Sequence, residues 1–158
     1  MTKETGCCPI FDPTPWQEKE IVWQDKLFIK DTVKCFMHMP LDMGKVITRM
    51  YKKVQNAQAE PPLKDFMILS DDVSNWKSNQ YMTVTKEVTD AENVKMSGTF
   101  LTKVFEGPYK EAPKWFSEMN EFVKARGKTT NKIYAFYTTC PKCAKAYGKN
   151  YVVLLAKI

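Results

Sequence analysis

The sequence predicts an α+β fold made of two repeated β-α-β-β units, whose antiparallel sheets form a central cleft with the helices on the outside. Short segments rich in strand-forming residues alternate with two stretches whose apolar residues recur at helical spacing. The order strand, helix, strand, strand occurs twice, beginning near Leu27 and again near Thr99. With 158 residues, 44% of them hydrophobic and 27% charged, the chain is long enough to bury a globular core.

Residues 1–25 form a separate segment, which we interpret as an N-terminal arm preceding one domain over residues 26–158. The arm contains three prolines, which disfavour a long helix, and two tryptophans, Trp16 and Trp23. Indole rings are rarely left in water, so we expect both tryptophans to lie over a groove.

The first repeated unit is predicted over about residues 26–90. Leu27–Met37 is rich in strand formers and is the first strand, which Pro40 ends. Asp42 is placed to be the N-cap of the helix that follows. The apolar face of this helix is formed by Val46, Ile47, Met50, Tyr51 and Val54.

Two further strands complete the first unit. They are predicted at Phe66–Leu69 and Tyr81–Val88, where β-branched and aromatic residues are concentrated. The polar residues between them, around Trp76, indicate a loop.

The second repeated unit is predicted over about residues 97–158. Its first strand, Thr99–Phe105, stops at Gly107-Pro108, and an amphipathic helix follows at once. Gly127 is placed to close this helix as a C-cap glycine. The helix buries the apolar residues Trp115, Phe116, Met119, Phe122 and Val123. Two strands complete the unit: Ile133–Thr138 and Tyr151–Ile158.

Charge and hydropathy indicate which classes of partner this protein is not expected to bind. The net charge of +6 permits attraction to polyanions, but no helix-turn-helix, zinc-finger or ribonucleoprotein motif accompanies it, so we do not expect nucleic acid as a partner. No apolar run is long enough to span a bilayer, which argues against a membrane partner. The first six residues lack the apolar core of a signal peptide, so we expect a cytoplasmic protein.

The second unit also carries the motifs of a family resemblance. Gly107-Pro108-Tyr109, the helix closed by Gly127, and the strand ending Tyr137-Thr138-Thr139-Cys140-Pro141 resemble the GyrI-like small-molecule-binding family. That family reads strand, Gly-Pro-Tyr, helix, Gly, and a strand ending Tyr-x-x-Asp-Pro. The element order extends the resemblance from Leu27 to Ile158.

The resemblance implies a cleft that accepts bulky aromatic or cationic compounds. Some members are multidrug-sensing domains of transcription regulators, and one is a gyrase-inhibitory protein. This chain more closely resembles the stand-alone members that look like hydrolases of cyclopropane-bearing, DNA-alkylating natural products, because of its arm and its paired cysteine motifs. This chain departs from the drug-sensing members at two positions, because Ala135 and Cys140 stand where those members have carboxylates.

Glu106 is the candidate acid or base. A carboxylate beside a tight turn in an aromatic cleft is expected to lose part of its water, which suits it to orient a hydrolytic water molecule. Tyr137 is the candidate catalytic phenol, and Tyr109 is the alternative. The other candidate ligand-binding residues are Trp76, Trp115, His38 and Tyr134. The alternatives are that Glu106 pairs with a surface lysine and that Trp115 belongs to the core.

The cysteines form the second group of candidate residues. The loop between Cys140 and Cys143 has the Cys-x-x-Cys spacing of a redox pair, of half a zinc site or of two unrelated thiols. If the arm folds back, Cys7 and Cys8 complete a set of four thiolate ligands, although buried thiols that pack the arm are the simpler expectation. His38 is the only histidine, which excludes a site built from several histidines and leaves a structural or cleft-lining role.

These observations predict a cofactor-independent hydrolase that opens strained rings of bulky aromatic natural products and so detoxifies xenobiotics. The alternatives are a non-catalytic module that sequesters hydrophobic drugs and a protein that binds and inhibits DNA gyrase. No glycine-rich phosphate loop and no Gly-x-Ser-x-Gly motif is present, so nucleotide-dependent chemistry and a serine triad are not expected.

Overall fold

Seven strands and two α-helices are present in the part of the chain that the computed structural model describes, namely residues 11–37, 39–62, 65–138 and 150–158. The strands are β1 Lys19–Phe36, β2 Met39–Pro40, β3 Ile68–Ser74, β4 Lys77–Thr83, β5 Glu92–Glu106, β6 Lys132–Tyr137 and β7 Tyr151–Lys157. The helices are α1 Met43–Asn56 and α2 Ala112–Ala125. Every strand pair with a defined register is antiparallel, so the mixed α and β class with antiparallel strands is as predicted.

The chain divides into two compact units. One consists of the segment up to Trp23 together with Gly98–Ile158, and the other of Gln24–Ser97. Strands β1 and β5 contribute residues to both units and pair with each other. In chain order the unit Gln24–Ser97 contains most of β1, then β2, α1, β3, β4 and the start of β5, and the other unit contains the start of β1, the rest of β5, α2, β6 and β7. The internal repeat and the cleft between its halves stay predictions.

The unit Gln24–Ser97 has the strand order β2-β1-β4-β3, with α1 packed on one face. The apolar spacing of α1 places Val46, Met50 and Val54 on one side, and all three are buried. They belong to the same hydrophobic cluster as Ile29 and Met82, which are directly opposite each other on β1 and β4. The helical face was therefore predicted correctly, with Tyr51 at its exposed edge.

Helix α1 begins where Asp42 was expected to cap it. The backbone carbonyl of Asp42 accepts the first helical hydrogen bond, from the N–H of Val46 at 3.0 Å. The carboxylate does not cap the helix, because its Oδ1 accepts the backbone N–H of Lys34 at 2.9 Å instead. Asp42 thus joins the start of the helix to the end of β1.

The other unit has the strand order β6-β7-β5, with α2 packed on one face. Trp115, Met119 and Val123 on α2 belong to one buried cluster with Leu101 of β5 and Leu154 of β7. The cluster includes almost the whole predicted apolar face of α2, with Phe116 packed at its margin. The core of this unit therefore lies between α2 and the sheet.

Gly127 ends α2 as predicted. Its φ of +70° lies in the left-handed region, which a glycine reaches without steric cost. The N–H of Gly127 donates to the carbonyl of Lys124 at 2.9 Å, and the N–H of Lys128 donates to the carbonyl of Val123 at 3.1 Å. This pair of bonds is the Schellman motif, which satisfies carbonyls that the helix end leaves open.

Several strand boundaries differ from the prediction: β1 and β5 begin at Lys19 and Glu92 instead of near residues 27 and 99, and β3 and β4 differ at both ends. Residues 19–25 of the expected arm therefore belong to β1, a strand that pairs with β5. Strands β3 and β4 extend until only residues 75 and 76 separate them, because their paired polar residues complete the ladder. Cross-strand hydrogen bonds outweighed local propensity in these segments. Neither helix of the described chain is long and apolar enough to cross a membrane.

Candidate functional site

The face of the β6-β7-β5 sheet that lies away from α2 is the candidate functional surface. Val152 and Leu154 of β7 belong to the cluster with α2, so Tyr151, which alternates with them, lies on the opposite face. The strand registers place Glu106 opposite Tyr151, and they place Phe136, the penultimate residue of β6, opposite Val153 on that same face. We call this surface the aromatic face and define it by Phe11, Trp16, Glu106, Tyr134, Phe136 and Tyr151.

Aromatic side chains from the N-terminal segment cover part of this face. The ring of Phe11 lies 6.2 Å from that of Phe136, edge to face, and 5.5 Å from that of Tyr151. The ring of Trp16 lies 5.8 Å from that of Phe136. Aromatic pairs at such distances contribute about 0.5–1.5 kcal/mol each beyond the area they bury. The ring of Trp23 likewise contacts that of Phe100, with centroids 4.8 Å apart. Both tryptophans thus pack against other aromatic rings, and the groove expected beneath them stays a prediction.

Hydrogen bonds to β5 fix the segment that carries Trp16. The hydroxyl of Thr102 is fully buried and donates to the carbonyl of Trp16 at 2.6 Å. The N–H of Val104 donates to Oε1 of Gln17 at 2.9 Å. The segment also forms its own turn, in which the carbonyl of Pro13 accepts the N–H groups of Trp16 and Gln17 at 3.0 Å each. The position of Trp16 is therefore set by the backbone as well as by its ring.

A second turn sits at the N-terminal edge of the same segment. Oδ1 of Asp12 accepts the backbone N–H of Thr14 at 3.0 Å. This hydrogen bond favours the ionised carboxylate and lowers the pKa of Asp12 below its ordinary value. The bond is local and exposed, so it stabilises the turn next to Phe11.

Glu106 is the last residue of β5, and Tyr151 is its direct cross-strand partner. Side chains of directly opposed residues lie on one face, with Cβ atoms about 4.5–5.5 Å apart. Tyr151 is half-buried and Glu106 is exposed, so the partial desolvation that was expected for this carboxylate is not observed. The pair brings a carboxylate and a phenol together beside the ring of Phe11.

Asn150 holds the turn that follows Glu106. Its backbone carbonyl accepts the N–H of Gly107 at 3.1 Å, and its Nδ2 donates to the carbonyl of Gly107 at 2.7 Å. Gly107 has a φ of +142°, which favours glycine at this position. These bonds keep the ends of β5 and β7 in register, and so keep Glu106 opposite Tyr151.

Tyr137 lies on the other face of the same sheet. Its cross-strand partner is Val152, and its ring packs against the cluster that contains α2. Glu106 and Tyr137, the two residues predicted to be catalytic, therefore do not share a face. The reason is that successive residues of a strand point to opposite faces of the sheet. The sequence alone does not fix the register, and a shift of one residue moves a side chain to the other face.

The two predicted aromatic walls, Trp76 and Trp115, have different surroundings. Trp115 is buried in the core and stacks on Phe105 with ring centroids 6.0 Å apart, so it is a core residue as the alternative interpretation held. Trp76 is 58% exposed in the turn between β3 and β4, where it contacts Phe36 at 5.5 Å. Trp76 belongs to the unit Gln24–Ser97 and Trp115 to the other. Tyr134, in contrast, lies on the aromatic face and contacts Phe100 at 6.3 Å.

The whole chain, residues 1–158, matches the model of a protein family described as bacterial hydrolase. The chain belongs to the bacterial hydrolase family. No curated protein matches it.

Solved structures share the fold of this bacterial hydrolase family member. An uncharacterised conserved protein from Listeria innocua aligns over 89% of this chain and 92% of its own, with a TM-score of 0.63 and 14% identity. A Listeria innocua hydrolase encoded by lin2189 aligns over 90% of this chain and 92% of its own, with a TM-score of 0.61 and 13% identity. The protein SAV2435, in its complex with tetraphenylphosphonium, aligns over 88% of this chain and 93% of its own, with a TM-score of 0.51 and 11% identity.

Several of the predicted site residues lie outside the part of the chain that the structure describes. They are His38 and the cysteines proposed as zinc ligands, Cys7, Cys8, Cys140 and Cys143, together with the side chain of Tyr109. Among the described residues, no group of three or more His, Cys, Asp or Glu side chains could hold a metal ion. The described cysteine, Cys35, is a buried free thiol, and burial, aided by the charges of Asp72 and Asp42, raises its pKa.

Three residues of the aromatic face were not predicted from the sequence. Phe11 and Phe136 are single aromatics without a motif, and Tyr151 is the first residue of the last strand. The alternation of Tyr134 with Phe136 was the available signal, since two aromatics two residues apart share a face of a strand. The assignment of Tyr151 required the register between β5 and β7.

Proposed function

We propose that this protein is a cofactor-independent hydrolase that opens strained rings of bulky aromatic compounds at the aromatic face. The proposed substrate class is the cyclopropane-bearing alkylating natural products, whose hydrolysis would protect the cell. The observation that carries the proposal is the Glu106–Tyr151 pair on adjacent strands, beside the rings of Phe11 and Phe136. Membership of the bacterial hydrolase family supports a hydrolytic reaction.

The aromatic rings suit a flat hydrophobic substrate. Phe11, Trp16 and Tyr151 are half-buried, so each has ring surface in protein contact and ring surface open to a ligand. Aromatic rings bury large areas at a low conformational cost, and stacked or edge-on contacts hold a flat molecule in one orientation. A planar ligand seated there would also cover Glu106, and so remove water from a carboxylate that is exposed in the free protein.

The proposed reaction adds one water molecule to a cyclopropane conjugated with a carbonyl group. The carboxylate of Glu106 takes a proton from the water, whose oxygen forms a bond to the cyclopropane carbon. The strained carbon–carbon bond breaks, and its electron pair moves through the conjugated system to the carbonyl oxygen. The phenol of Tyr151 donates a hydrogen bond to that oxygen as negative charge develops on it. The carbonyl oxygen then takes up the proton that Glu106 removed from water, which restores the carboxylate. The addition of water involves no change of redox state and requires no metal.

A second candidate function is the sequestration of bulky aromatic drugs without turnover, as the GyrI-like resemblance suggests. The observation that favours it is the fold shared with SAV2435, which was solved with tetraphenylphosphonium, a compound with four aromatic rings. The same face would serve both functions, since both need flat apolar walls. The two candidates differ in whether the carboxylate and the phenol act on the bound compound.

The test is incubation of a cyclopropane-fused cyclohexadienone with the wild type and with Glu106→Gln, Tyr151→Phe and Tyr137→Phe, followed by mass spectrometry of the ring-opened product. We expect Glu106→Gln to lower the rate by about 10²–10⁴-fold, as for loss of a general base. Tyr151→Phe should lower it by about 10–100-fold, through loss of one hydrogen bond to a charged oxygen. Tyr137→Phe removes the same hydroxyl on the other face and should retain the wild-type rate.

The control variants separate the outcomes. Glu118→Gln, an exposed position on α2, should behave as the wild type. Saturable binding with no product in any variant would reject catalysis and favour sequestration. A rate that fell in Tyr137→Phe and held in Tyr151→Phe would place the chemistry on the opposite face of the sheet and overturn the assignment.

A further inference from the structure

The described residues that precede β1, residues 11–18, lie over the sheet of their own unit, and we call them the cover segment. The cover segment carries two rings of the aromatic face, Phe11 and Trp16, and the sheet carries the others. All the residues concerned belong to one compact unit, made of the chain up to Trp23 and Gly98–Ile158. Access to the rings beneath the cover segment therefore depends on where that segment lies.

The rings of the cover segment are in direct contact with rings of the sheet. The ring centroid of Phe11 lies 5.5 Å from that of Tyr151 and 6.2 Å from that of Phe136. The ring centroid of Trp16 lies 5.8 Å from that of Phe136. A flat ring seated between two others needs them about 7 Å apart, because carbon atoms in contact are about 3.5–4.0 Å from each other. A flat ligand therefore reaches the contacted side of Tyr151 or Phe136 after the cover segment has moved.

Hydrogen bonds within the cover segment hold it together as one body. The carbonyl of Pro13 accepts the N–H groups of Trp16 and Gln17 at 3.0 Å each. Oδ1 of Asp12 accepts the N–H of Thr14 at 3.0 Å, and the ring of Pro13 fixes its own φ. The two rings of the segment therefore move together when the segment moves.

Glu18 joins the cover segment to β1 through a strained backbone. Its φ of +52° lies in the left-handed region, which a residue with a Cβ atom rarely adopts. From Lys19 onward the chain belongs to β1, which pairs with β5. A strained residue between a compact segment and a paired strand is relieved by rotation of its own backbone, so Glu18 is the position at which the segment can turn.

Two of the contacts that hold the cover segment against β5 are easily exchanged. Oε1 of Gln17 accepts the N–H of Val104 at 2.9 Å at an exposed position, where a water molecule can take its place. Nζ of Lys103 lies 3.9 Å from Oε1 of Glu18, and a partly exposed ion pair at this distance contributes little. Release of these contacts therefore does little to oppose movement of the segment.

The buried contact has a second acceptor close by. The hydroxyl of Thr102 donates to the carbonyl of Trp16 at 2.6 Å, and the carbonyl of Lys19 lies 3.4 Å from the same hydroxyl oxygen. The two carbonyls lie on opposite sides of Glu18 in the chain, so the first moves with the segment and the second stays with β1. When the segment turns, the hydroxyl can donate to Lys19, and the cost of a buried donor without a partner is avoided.

We propose that the cover segment is a lid, which turns about Glu18 to admit a flat aromatic ligand and then closes over it. In the closed complex Phe11 and Trp16 lie on the outer side of the ligand and Tyr151 on the inner side. The closed lid also excludes water from Glu106. The location of the ligand rests on the proposed function, whereas its route of entry follows from the contacts of the cover segment.

Hydrogen exchange of the full-length Glu106→Gln protein tests the lid, because slow hydrolysis in this variant leaves the probe intact. The probe is the cyclopropane-fused cyclohexadienone, at about ten times its dissociation constant. Exchange at the N–H groups of Trp16 and Gln17, read by mass spectrometry, should slow about tenfold, since the bound ligand favours the closed segment by that factor. An unchanged exchange rate at these groups in the presence of bound probe would overturn the proposal.

Glu18→Pro, made in the same Glu106→Gln protein, should hold the lid open, because proline cannot adopt the φ of +52° that the closed segment requires. Stopped-flow fluorescence should show association of the probe about tenfold faster or more, since the open state no longer has to form first. The affinity should fall by about 5–100-fold, through loss of two aromatic contacts. Glu18→Gln is the matched control, which keeps the backbone conformation and should bind as the parent does.

Faster association together with weaker affinity is the signature that general damage to the fold would not produce. Circular dichroism and thermal unfolding identify a Glu18→Pro protein that fails to fold. Phe11→Ala is then the milder change, since it removes the ring that contacts Tyr151, and both expected directions are the same.

The outcomes separate the lid from the hydrolysis. Binding with slowed exchange, but without product in the wild type, would reject hydrolysis and support the lid. Product formation with equal association rates in Glu18→Pro and Glu18→Gln would refute the lid and leave hydrolysis in place. The absence of saturable binding would refute both.

Discussion

Thr102→Val should release the N-terminal segment that carries Trp16 while leaving the core of its unit filled. Valine has nearly the shape of threonine, so the substitution opens no cavity at this fully buried position. It removes a 2.6 Å hydrogen bond to the carbonyl of Trp16 and a longer contact, at 3.4 Å, with the carbonyl of Lys19. Loss of a buried hydrogen bond whose acceptor keeps no partner costs about 1–2 kcal/mol.

The expected result is therefore local as well as global. The free energy of unfolding should fall by about 1–2 kcal/mol, which corresponds to a melting temperature about 2–8 °C lower for a chain of this size. Hydrogen exchange at the N–H groups of Trp16 and Gln17, which bond to Pro13, should accelerate by about 5–30-fold, because the turn opens without its anchor. Urea denaturation measures the first effect, and hydrogen–deuterium exchange with mass spectrometry measures the second.

Thr83→Val is the matched control. Thr83 is also a buried threonine, and its hydroxyl accepts the N–H of Met67 at 2.9 Å in the unit Gln24–Ser97. The substitution should cost a similar free energy of unfolding and leave exchange at Trp16 unchanged. If both variants accelerated exchange at Trp16 equally, or if neither did, the segment would be held by its ring contacts and the reasoning from Thr102 would be wrong.

Further predictions concern two helix glycines, one core tryptophan and one buried thiol. Gly127→Ala should lower the free energy of unfolding by about 1–2 kcal/mol, because alanine is strained in the left-handed region even though nothing lies within 4 Å of its Cβ. Gly44→Ala, which also meets nothing within 4 Å but lies in α1, should raise it by about 0.5–1 kcal/mol, and urea denaturation of the pair checks both signs. Trp115→Ala should cost about 3–5 kcal/mol, read from thermal melts by circular dichroism; a cost below about 1 kcal/mol would contradict its place in the core. The raised pKa of Cys35 means that the folded state favours the neutral thiol. The stability that this neutral thiol contributes is present below the ordinary thiol pKa. It is lost as the pH rises through the higher pKa of Cys35 in the folded state. Alkylation of Cys35 at alkaline pH, mapped by mass spectrometry, should be slower in the folded than in the urea-unfolded protein, and equal rates would refute the shift.

The helices were predictable because their signal is local. The spacing of Val46, Met50 and Val54 defines one side of α1 whatever else the chain does, since a helix makes its own backbone hydrogen bonds. The ends were equally local, with Asp42 before α1 and Gly127 after α2. The turn at Gly107-Pro108 also ends β5 where the sequence placed it, one residue after Glu106.

The candidate site was predictable only in part, because a strand finds its partners elsewhere in the chain. Glu106 was selected from its own neighbourhood, with Tyr137 as the candidate phenol, whereas the tyrosine that the structure places directly opposite Glu106 is Tyr151, which depends on the register of β5 with β7. The aromatic contacts that cover this face also depend on the tertiary structure, because Phe11 and Phe136 are more than a hundred residues apart in the sequence.

The sequence by itself determined the α+β class, the two helices with their buried sides, and the turn that orients Glu106, because propensity, spacing and glycine or proline geometry act over a few residues. The tertiary structure alone decided which side chains share a face, because strand pairing joins distant segments and a shift of one residue reverses every side chain. It therefore placed Trp115 and Tyr137 with the α2 cluster, Tyr151 opposite Glu106, and the ring of Phe11 against that of Tyr151.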